Sequence, residues 1–193
     1  LDVVQPDDVV ADDEVALRLY RNVGRYSLAL YGYDGFWKSP NALLPRQQAA
    51  TFARLRVGGA SVRGPVPALG GIGSAEFAFY DSRDDRDGTD PTVPNSEARL
   101  LFGWDRELAA NLTAGVQYLR EQRLDHDALV ANQPPGAPPV DEVRHLLTGK
   151  LTRTWPAKQI TATMFAFYSP SAEDAYIRPR LSWSPTDAVT LEA

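Results

Sequence analysis

The chain has 193 residues, no cysteine and a formal net charge of −5. Disulfides, thiol chemistry and Cys-ligated metals are therefore excluded, and no basic face of the kind a nucleic-acid binder needs is visible. Hydrophobic residues make up 44%, yet no run approaches the roughly 18 consecutive apolar residues of a membrane helix, so the remaining spanning solution is a closed sheet.

Residues 1–13 form an acidic, polar N-terminal segment, without the basic start and apolar stretch of a signal peptide. From residue 14 to 193 alternation replaces helical periodicity. Ten strands are predicted, at 14–21, 26–33, 51–62, 74–80, 97–104, 111–121, 143–152, 159–168, 175–183 and from 189 onward. Because Val189-Thr190-Leu191-Glu192-Ala193 reads as the start of a strand, the chain is expected to be truncated at its C-terminus. The best helix competitor, 105–112, is too short to stand alone and is expected to be a turn. Pro179 falls inside a strand pattern and calls for an edge, a bulge or a barrel seam. Gly58-Gly59 suggests a bend or bulge.

Each strand divides into two chemistries. Ala53, Leu55 and Val57 alternate with Arg54 and Arg56; Ala75, Phe77 and Phe79 with Ser74 and Glu76; Ala98, Leu100, Phe102 and Trp104 with Glu97 and Arg99. Further along, Leu112, Ala114, Val116 and Tyr118 alternate with Thr113, Gly115, Gln117 and Glu121. Leu147 and Leu151 oppose Arg144, Thr148 and Lys150, and Ile177, Leu181 and Trp183 oppose Arg178, Arg180 and Ser182. A soluble β-sandwich alternates in the same way. The connections separate the two cases. Those at 22–25, 105–110 and 155–158 are short, 63–73 is intermediate, and 34–49, 81–95 and 123–141 are long. Long loops at one end and tight turns at the other are the habit of membrane barrels.

With the short turns placed on the periplasmic side, Tyr31, Tyr33, Phe79, Tyr80, Tyr118, Phe167, Tyr168 and Tyr176 fall near the extracellular rim. Trp104, Trp155 and Trp183 fall at the opposite ends of their strands. Two aromatic girdles are expected from this placement, carried by Tyr31, Tyr33, Phe79, Tyr80 and Tyr168 on one side and by Trp104, Trp155 and Trp183 on the other. Arg54, Arg56, Glu76, Arg99, Gln117, Lys150, Arg178 and Arg180 are expected to look inward, since a Lys or Arg on the lipid face costs about 2–4 kcal/mol at the midplane. There they either line a water-filled lumen, favouring anions and polar solutes, or pair across strands and pack it.

Several of these segments resemble a known family. Gly59-Ala60-Ser61-Val62-Arg63-Gly64-Pro65, Glu76-Phe77-Ala78-Phe79-Tyr80-Asp81-Ser82-Arg83-Asp84-Asp85 and Pro94-Asn95-Ser96-Glu97 look like uncharacterised porin-like outer-membrane β-barrel proteins of proteobacteria. So do Leu124-Asp125-His126-Asp127-Ala128, His145-Leu146-Leu147-Thr148, Tyr168-Ser169-Pro170-Ser171 and Asp174-Ala175-Tyr176-Ile177-Arg178-Pro179. The resemblance covers nearly the whole chain. It implies a central piece of a larger parent barrel and assigns neither substrate nor catalytic residues.

Other chemistry finds little support in the residues. The loop 81–90 holds five acids and Gly88, but alignment with an EF-hand puts Arg83 at the first acid and Pro94 at the bidentate Glu. A solvated, self-paired loop is the preferred reading over a looser cation site. His126 and His145 lie far apart in sequence, and a nucleophile pairing of His145 with Ser169 or Ser171 has no motif behind it. The expectation is a non-enzymatic, all-β, antiparallel up-and-down meander of about ten strands, either a transmembrane barrel or a segment of one. It needs no cofactor, metal or catalytic residue. Its partners are outer-membrane lipid and small polar solutes, not nucleic acid, and its oligomeric state is open. The alternatives are a structural or adhesive outer-membrane protein working through its loops, and a soluble ligand-binding β-barrel.

Overall fold

The computed structural model describes residues 2–6, 12–44, 46, 48–186 and 188–193. In chain order its elements are β1 (Asp2–Val4), β2 (Val15–Val23), β3 (Tyr26–Phe36), β4 (Ala42–Leu44), β5 (Ala49–Thr51), β6 (Arg54–Pro65), β7 (Ile72–Ser82), β8 (Glu97–Ala109) and β9 (Leu112–Arg123). A short helix α1 (His126–Asn132) follows, then β10 (Val143–Trp155), a 3-10 turn at Pro156–Lys158, β11 (Ile160–Ser169), β12 (Asp174–Thr186) and β13 (Val189–Glu192). Ten strands form one sheet in the order β13-β12-β11-β10-β9-β8-β7-β6-β3-β2, and every pair in it is antiparallel. The protein is an all-β antiparallel meander. Among the described residues β2 and β13 pair on one side only and not with each other.

The ends of the sheet differ as the connections foretell. Tight turns join β2–β3, β6–β7, β8–β9 and β10–β11 at one end. In the first, Gly24 takes a φ of 59°, a conformation that costs glycine nothing. In the third, Asn111 takes a φ of 61° and donates its N–H to the Glu107 carboxylate at 2.9 Å. At the other end lie 37–53, 83–96 and 124–142, together with the four-residue connection 170–173.

Several expectations are corrected in detail. Residues 105–109 continue β8 rather than forming a turn, because their partners Leu112 to Gly115 hold them in the ladder. The register runs unbroken through Gly58 and Gly59, so no bulge sits there. The third predicted strand is two pieces, β5 and β6, parted at Phe52-Ala53. Asp2–Val4, inside the polar N-terminal segment, pairs in parallel with β5 and joins β4 in a small second sheet. Leu129 is buried under α1, a helix that the loop composition did not announce.

Pro179 sits at an edge. Leu181 exchanges both backbone hydrogen bonds with Ala193, at 2.8 and 3.0 Å. Two residues earlier on the same strand, the Pro179 nitrogen points to the same side, past the paired part of β13, where no ladder acceptor waits.

Among the described residues no second layer covers the main sheet beyond the loop-end cluster. The buried apolar residues are Ala29, Phe36, Trp37, Ala42, Ala49, Ala50, Ala53, Leu55 and Leu129. Trp37, Ala42, Ala53 and Leu55 form one cluster at the long-loop end, against Tyr33, Val57, Tyr80 and Val93. The rest of the sheet lacks a core of its own.

Candidate functional site

In an antiparallel ladder, directly opposed residues share a face. The registers therefore sort every side chain of the main sheet. One face carries Leu28, Leu30, Ala60, Val62, Ala75, Phe77 and Phe79 across β3, β6 and β7. It continues through residues 98, 100, 102 and 104 of β8, 112, 114, 116 and 118 of β9, and 147, 149 and 151 of β10. On β11 and β12 it holds Ile160, Ala162, Met164, Ala166, Tyr168, Ala175, Ile177, Pro179, Leu181 and Trp183. No charged residue interrupts these positions. Most large side chains here are exposed, with Ile177 at 67% and Phe102 at 50% of their full accessibility, and Leu100, Trp104, Leu112, Tyr118 and Ile160 are half-buried. Charges appear on this face only towards the strand ends. Arg106 and Arg153 bend to the turn carbonyls of Leu69 and Ala110, at 2.8 and 2.9 Å. Arg120 and His145 stand opposite each other towards the loop end.

The other face is polar, with apolar inclusions. Glu76, Arg99, Gln117, Lys150, Arg178 and Arg180 all lie on it, as the sequence reading expected. Arg54 and Arg56 do not. They share the opposite face with Ala60 and Val62, while Leu55 and Val57 share the polar one with Tyr80. The reason is a change of environment halfway along β6. Above Gly58-Gly59 the polar side of the sheet is roofed by the loop 37–53, so the apolar residues turn towards that roof. Arg56 turns out to pair with Asp34 at 2.6 Å, and Arg54 pairs with Asp12 at 2.8 Å.

The same roof corrects the aromatic assignment. Phe79, Trp104, Trp155, Tyr168 and Trp183 stand on the apolar face. Trp155 and Trp183 lie at the turn end and Phe79 and Tyr168 at the loop end, but β8 runs on to Ala109 and leaves Trp104 inside the strand, its indole N–H donating to the Gly70 carbonyl at 2.8 Å. Tyr31, Tyr33 and Tyr80 stand on the polar face, and so do Phe167 and Tyr176. Their environments explain why. The Tyr31 hydroxyl meets Ser61 Oγ at 2.9 Å. The Tyr33 hydroxyl accepts the Phe36 N–H at 2.9 Å and lies 3.0 Å from the Glu14 carboxylate. Tyr80 stacks on Trp37 with ring centroids 5.6 Å apart, and Tyr176 stacks on Phe167 at 5.0 Å.

Under this roof the charges on the polar face form a chain. Arg99 bonds Glu97 at 2.7 Å and Glu121 at 3.2 Å, and Glu121 bonds Arg144 at 3.2 Å. The Arg99 guanidinium also lies 4.2 Å from the Tyr80 ring centroid and 5.9 Å from that of Trp37. Glu97, Glu121 and Arg144 belong to this network although only Arg99 was singled out from the sequence. Their alternation along β8, β9 and β10 was visible; that they meet is a fact of register. Trp37 left no local signal, since only the folded loop carries it inward. Where Lys38 roots the same loop, its hydrogen bond to Glu14 raises the Lys38 pKa and lowers that of Glu14. Towards the turn end the polar face becomes hydroxyl-rich, with Thr113, Thr152, Thr154, Thr161, Thr163 and Ser182, and Arg180 pairs with Glu192.

Asp81, Asp84, Asp85 and Asp90 of the acidic loop are engaged within the protein, Asp90 through Thr92. Asp81 pairs with Arg83 at 3.0 Å and Arg86 at 3.5 Å, Asp84 accepts the Arg54 N–H, and Asp85 accepts the Asp90 N–H. The histidines stay apart. His126 Nε2 reaches the Val140 carbonyl at 2.7 Å, and His145 Nδ1 reaches the Tyr118 hydroxyl at 2.7 Å. Ser169 and Ser171 bond the backbone of His145 rather than its ring.

Fold and faces together define a class: an antiparallel meander with one apolar face that carries charges only towards the strand ends and one ionic face, roofed at the loop end. No known protein family, curated protein or solved structure matches the chain.

Proposed function

We propose that this chain is a porin-like outer-membrane β-barrel, or a segment of one, that gives small hydrophilic solutes passive passage. One observation carries the reading: an apolar face with charges only towards its strand ends, largely exposed and uncovered by any described residue, backs an ionic face across the same strands. The chain exposes 13045 Å², whereas a compact soluble monomer of 21.2 kDa exposes roughly 9,000 Å² by mass scaling. The difference, on the order of 4,000 Å² of total surface, is what a sheet without a packed second layer exposes.

The dimensions agree. Along β11 the apolar positions run from Ile160 to Tyr168, about 27 Å of strand at 3.4 Å per residue. Tilted by about 40°, that spans roughly 20 Å, near the apolar belt of about 25 Å of a membrane barrel. Trp155 and Trp183, both opposite Ile160, border it on the turn side. Lipid demands that every backbone N–H and C=O find a partner, so the outer edges of β2 and β13 are paired in the assembled protein. Solutes would pass along the polar face, beneath the Trp37–Tyr80 roof and past Arg99 and its carboxylates, which set the local field. Single-channel recording of the full-length protein in planar bilayers tests this directly. Stepwise conductance is expected, and bilayers that stay sealed at high protein load would sink the reading.

The alternative of a structural or adhesive protein draws on the loops. Asn95 Nδ2 donates to the Leu124 carbonyl at 2.8 Å and Leu124 N–H to the Ser96 carbonyl at 2.8 Å, tying two long loops into one platform. Sealed bilayers together with surface binding that disappears on deletion of 83–96 would favour it.

A further inference from the structure

On the polar face near the turn end, the strands leave a recess of about 330 Å³ around Gly115. Its lining includes Asp105, Arg106, Glu107, Thr113, Lys150 and Thr152, with the Arg106 guanidinium bonded to the Leu69 carbonyl. The recess has a simple origin in register. Asp105, Gly115 and Lys150 are direct partners in one row across β8, β9 and β10. The middle position lacks a side chain, and a Cβ built there would stand 2.6 Å from Asp105 Oδ1. Neighbouring strands are about 4.8 Å apart, so the carboxylate-bearing and ammonium-bearing backbones face each other across about 10 Å. Glu107, Thr113 and Thr152 form the next row and add a second carboxylate and two hydroxyls.

The charges in this recess are incompletely answered. Asp105 meets Arg63 at a loose 3.5 Å and remains 61% exposed. Glu107 uses one oxygen on the Asn111 N–H. Among the described residues Lys150 has no carboxylate within ion-pair distance, although Arg99, Arg144 and Arg180 on the same face each have one.

From this geometry we infer a binding site for a small zwitterion, of the size and charge pattern of an α-amino acid, at Asp105, Glu107 and Lys150. A simple anion drawn to Lys150 meets two carboxylates, and a simple cation drawn to them meets Lys150. A molecule bearing both charges satisfies both walls at once, with its ammonium towards Asp105 and Glu107, its carboxylate on Lys150, and Thr113 and Thr152 offering hydroxyls between. The site rests on the porin reading, in that the polar face must be open to solute.

The test is calorimetric titration of the detergent-solubilised full-length protein with L-alanine, using acetate and methylammonium as single-charge probes. L-alanine is expected to bind, and both single-charge probes more weakly. Lys150→Gln and Asp105→Asn should each weaken L-alanine about tenfold, the usual loss for a hydrogen bond to a charged partner. Gly115→Val fills the recess and should abolish binding, whereas the outward Val116→Ala should leave it intact. Acetate binding as tightly as L-alanine, or no L-alanine heat from a folded protein, overturns the inference. So does unchanged binding by Gly115→Val. Conductance separates this site from the reading beneath it. A conducting channel without L-alanine binding fails the site alone, and L-alanine binding with sealed bilayers fails the channel alone.

Discussion

Val116 and Gln117 are neighbours in sequence and lie on opposite faces of β9. That single step carries a sharp energetic contrast if the apolar face meets lipid. Val116→Arg is expected to destabilise the bilayer-inserted protein by about 2–4 kcal/mol, and Gln117→Arg, on the polar face, by well under half of that. Urea titration of the refolded protein in lipid vesicles measures both, and equal effects would argue against a lipid-facing Val116. Glu121 offers a second residue-level test, since it bridges Arg99 and Arg144 at 3.2 Å each. Glu121→Ala leaves two guanidiniums facing each other without their shared acid. A loss of about 1–3 kcal/mol is expected, read from the unfolding midpoint. The double substitution Glu121→Ala, Arg144→Ala should recover part of it.

At the scale of elements, the loop 37–53 decides how the loop end of the sheet is built. Trp37 is 8% exposed and stacks on Tyr80, so it fastens the loop to the polar face. Trp37→Ala is expected to cost about 3 kcal/mol, at the low end for removing a buried tryptophan, and to raise single-channel conductance as the roof loosens. Conductance unchanged by this substitution would mean that the loop does not constrict the path. Glu14, Lys38 and Tyr33 hold the root of the same loop. The Glu14 pKa is lowered, by its hydrogen bond to Lys38 above all, so its contribution is present above the ordinary carboxyl range and is lost as pH falls through the lowered value. The Lys38 pKa is raised, mainly by the hydrogen bond to Glu14, so its contribution persists below the ordinary lysine value and fades as pH rises through the raised one. Both side chains are well exposed, which confines the effect to local opening. Amide exchange at residues 33–38 should speed up in acid for the native chain and be insensitive to acid in Glu14→Gln; identical profiles would dismiss the coupling.

At the scale of the whole molecule, the governing fact is that the described residues put no second layer on the apolar face. A sandwich would bury Leu30, Phe77, Phe102 and Leu181 against a facing sheet; here these residues are 46% to 60% exposed. The full-length protein is therefore expected to partition with detergent or membrane rather than with the aqueous phase. Its β2 amides should be protected from exchange in lipid, where unpaired edges are intolerable. Freely exchanging β2 amides in the bilayer-inserted protein would contradict that arrangement.

Alternation along β7, β8, β9 and β12 was enough to place Glu76, Arg99, Gln117, Arg178 and Arg180 on one face, because a strand has a strict period of two and each of these strands keeps one chemistry per face. The short and long connections were legible for a similar reason: Gly24 and Asn111 mark tight turns, and proline-rich runs cannot extend a ladder. What only the tertiary structure decided is where the environment changes within a strand. The loop 37–53, which joins β3 to β6, folds back over one end of the polar face, and there Leu55, Val57, Tyr33 and Tyr80 turn towards it while Arg54 and Arg56 turn away. The recess at Gly115 likewise depends on which residues of β8 and β10 stand beside it. A local pattern reports the period of a strand, whereas the partner across the ladder and the cover above it are set by contacts far apart in sequence.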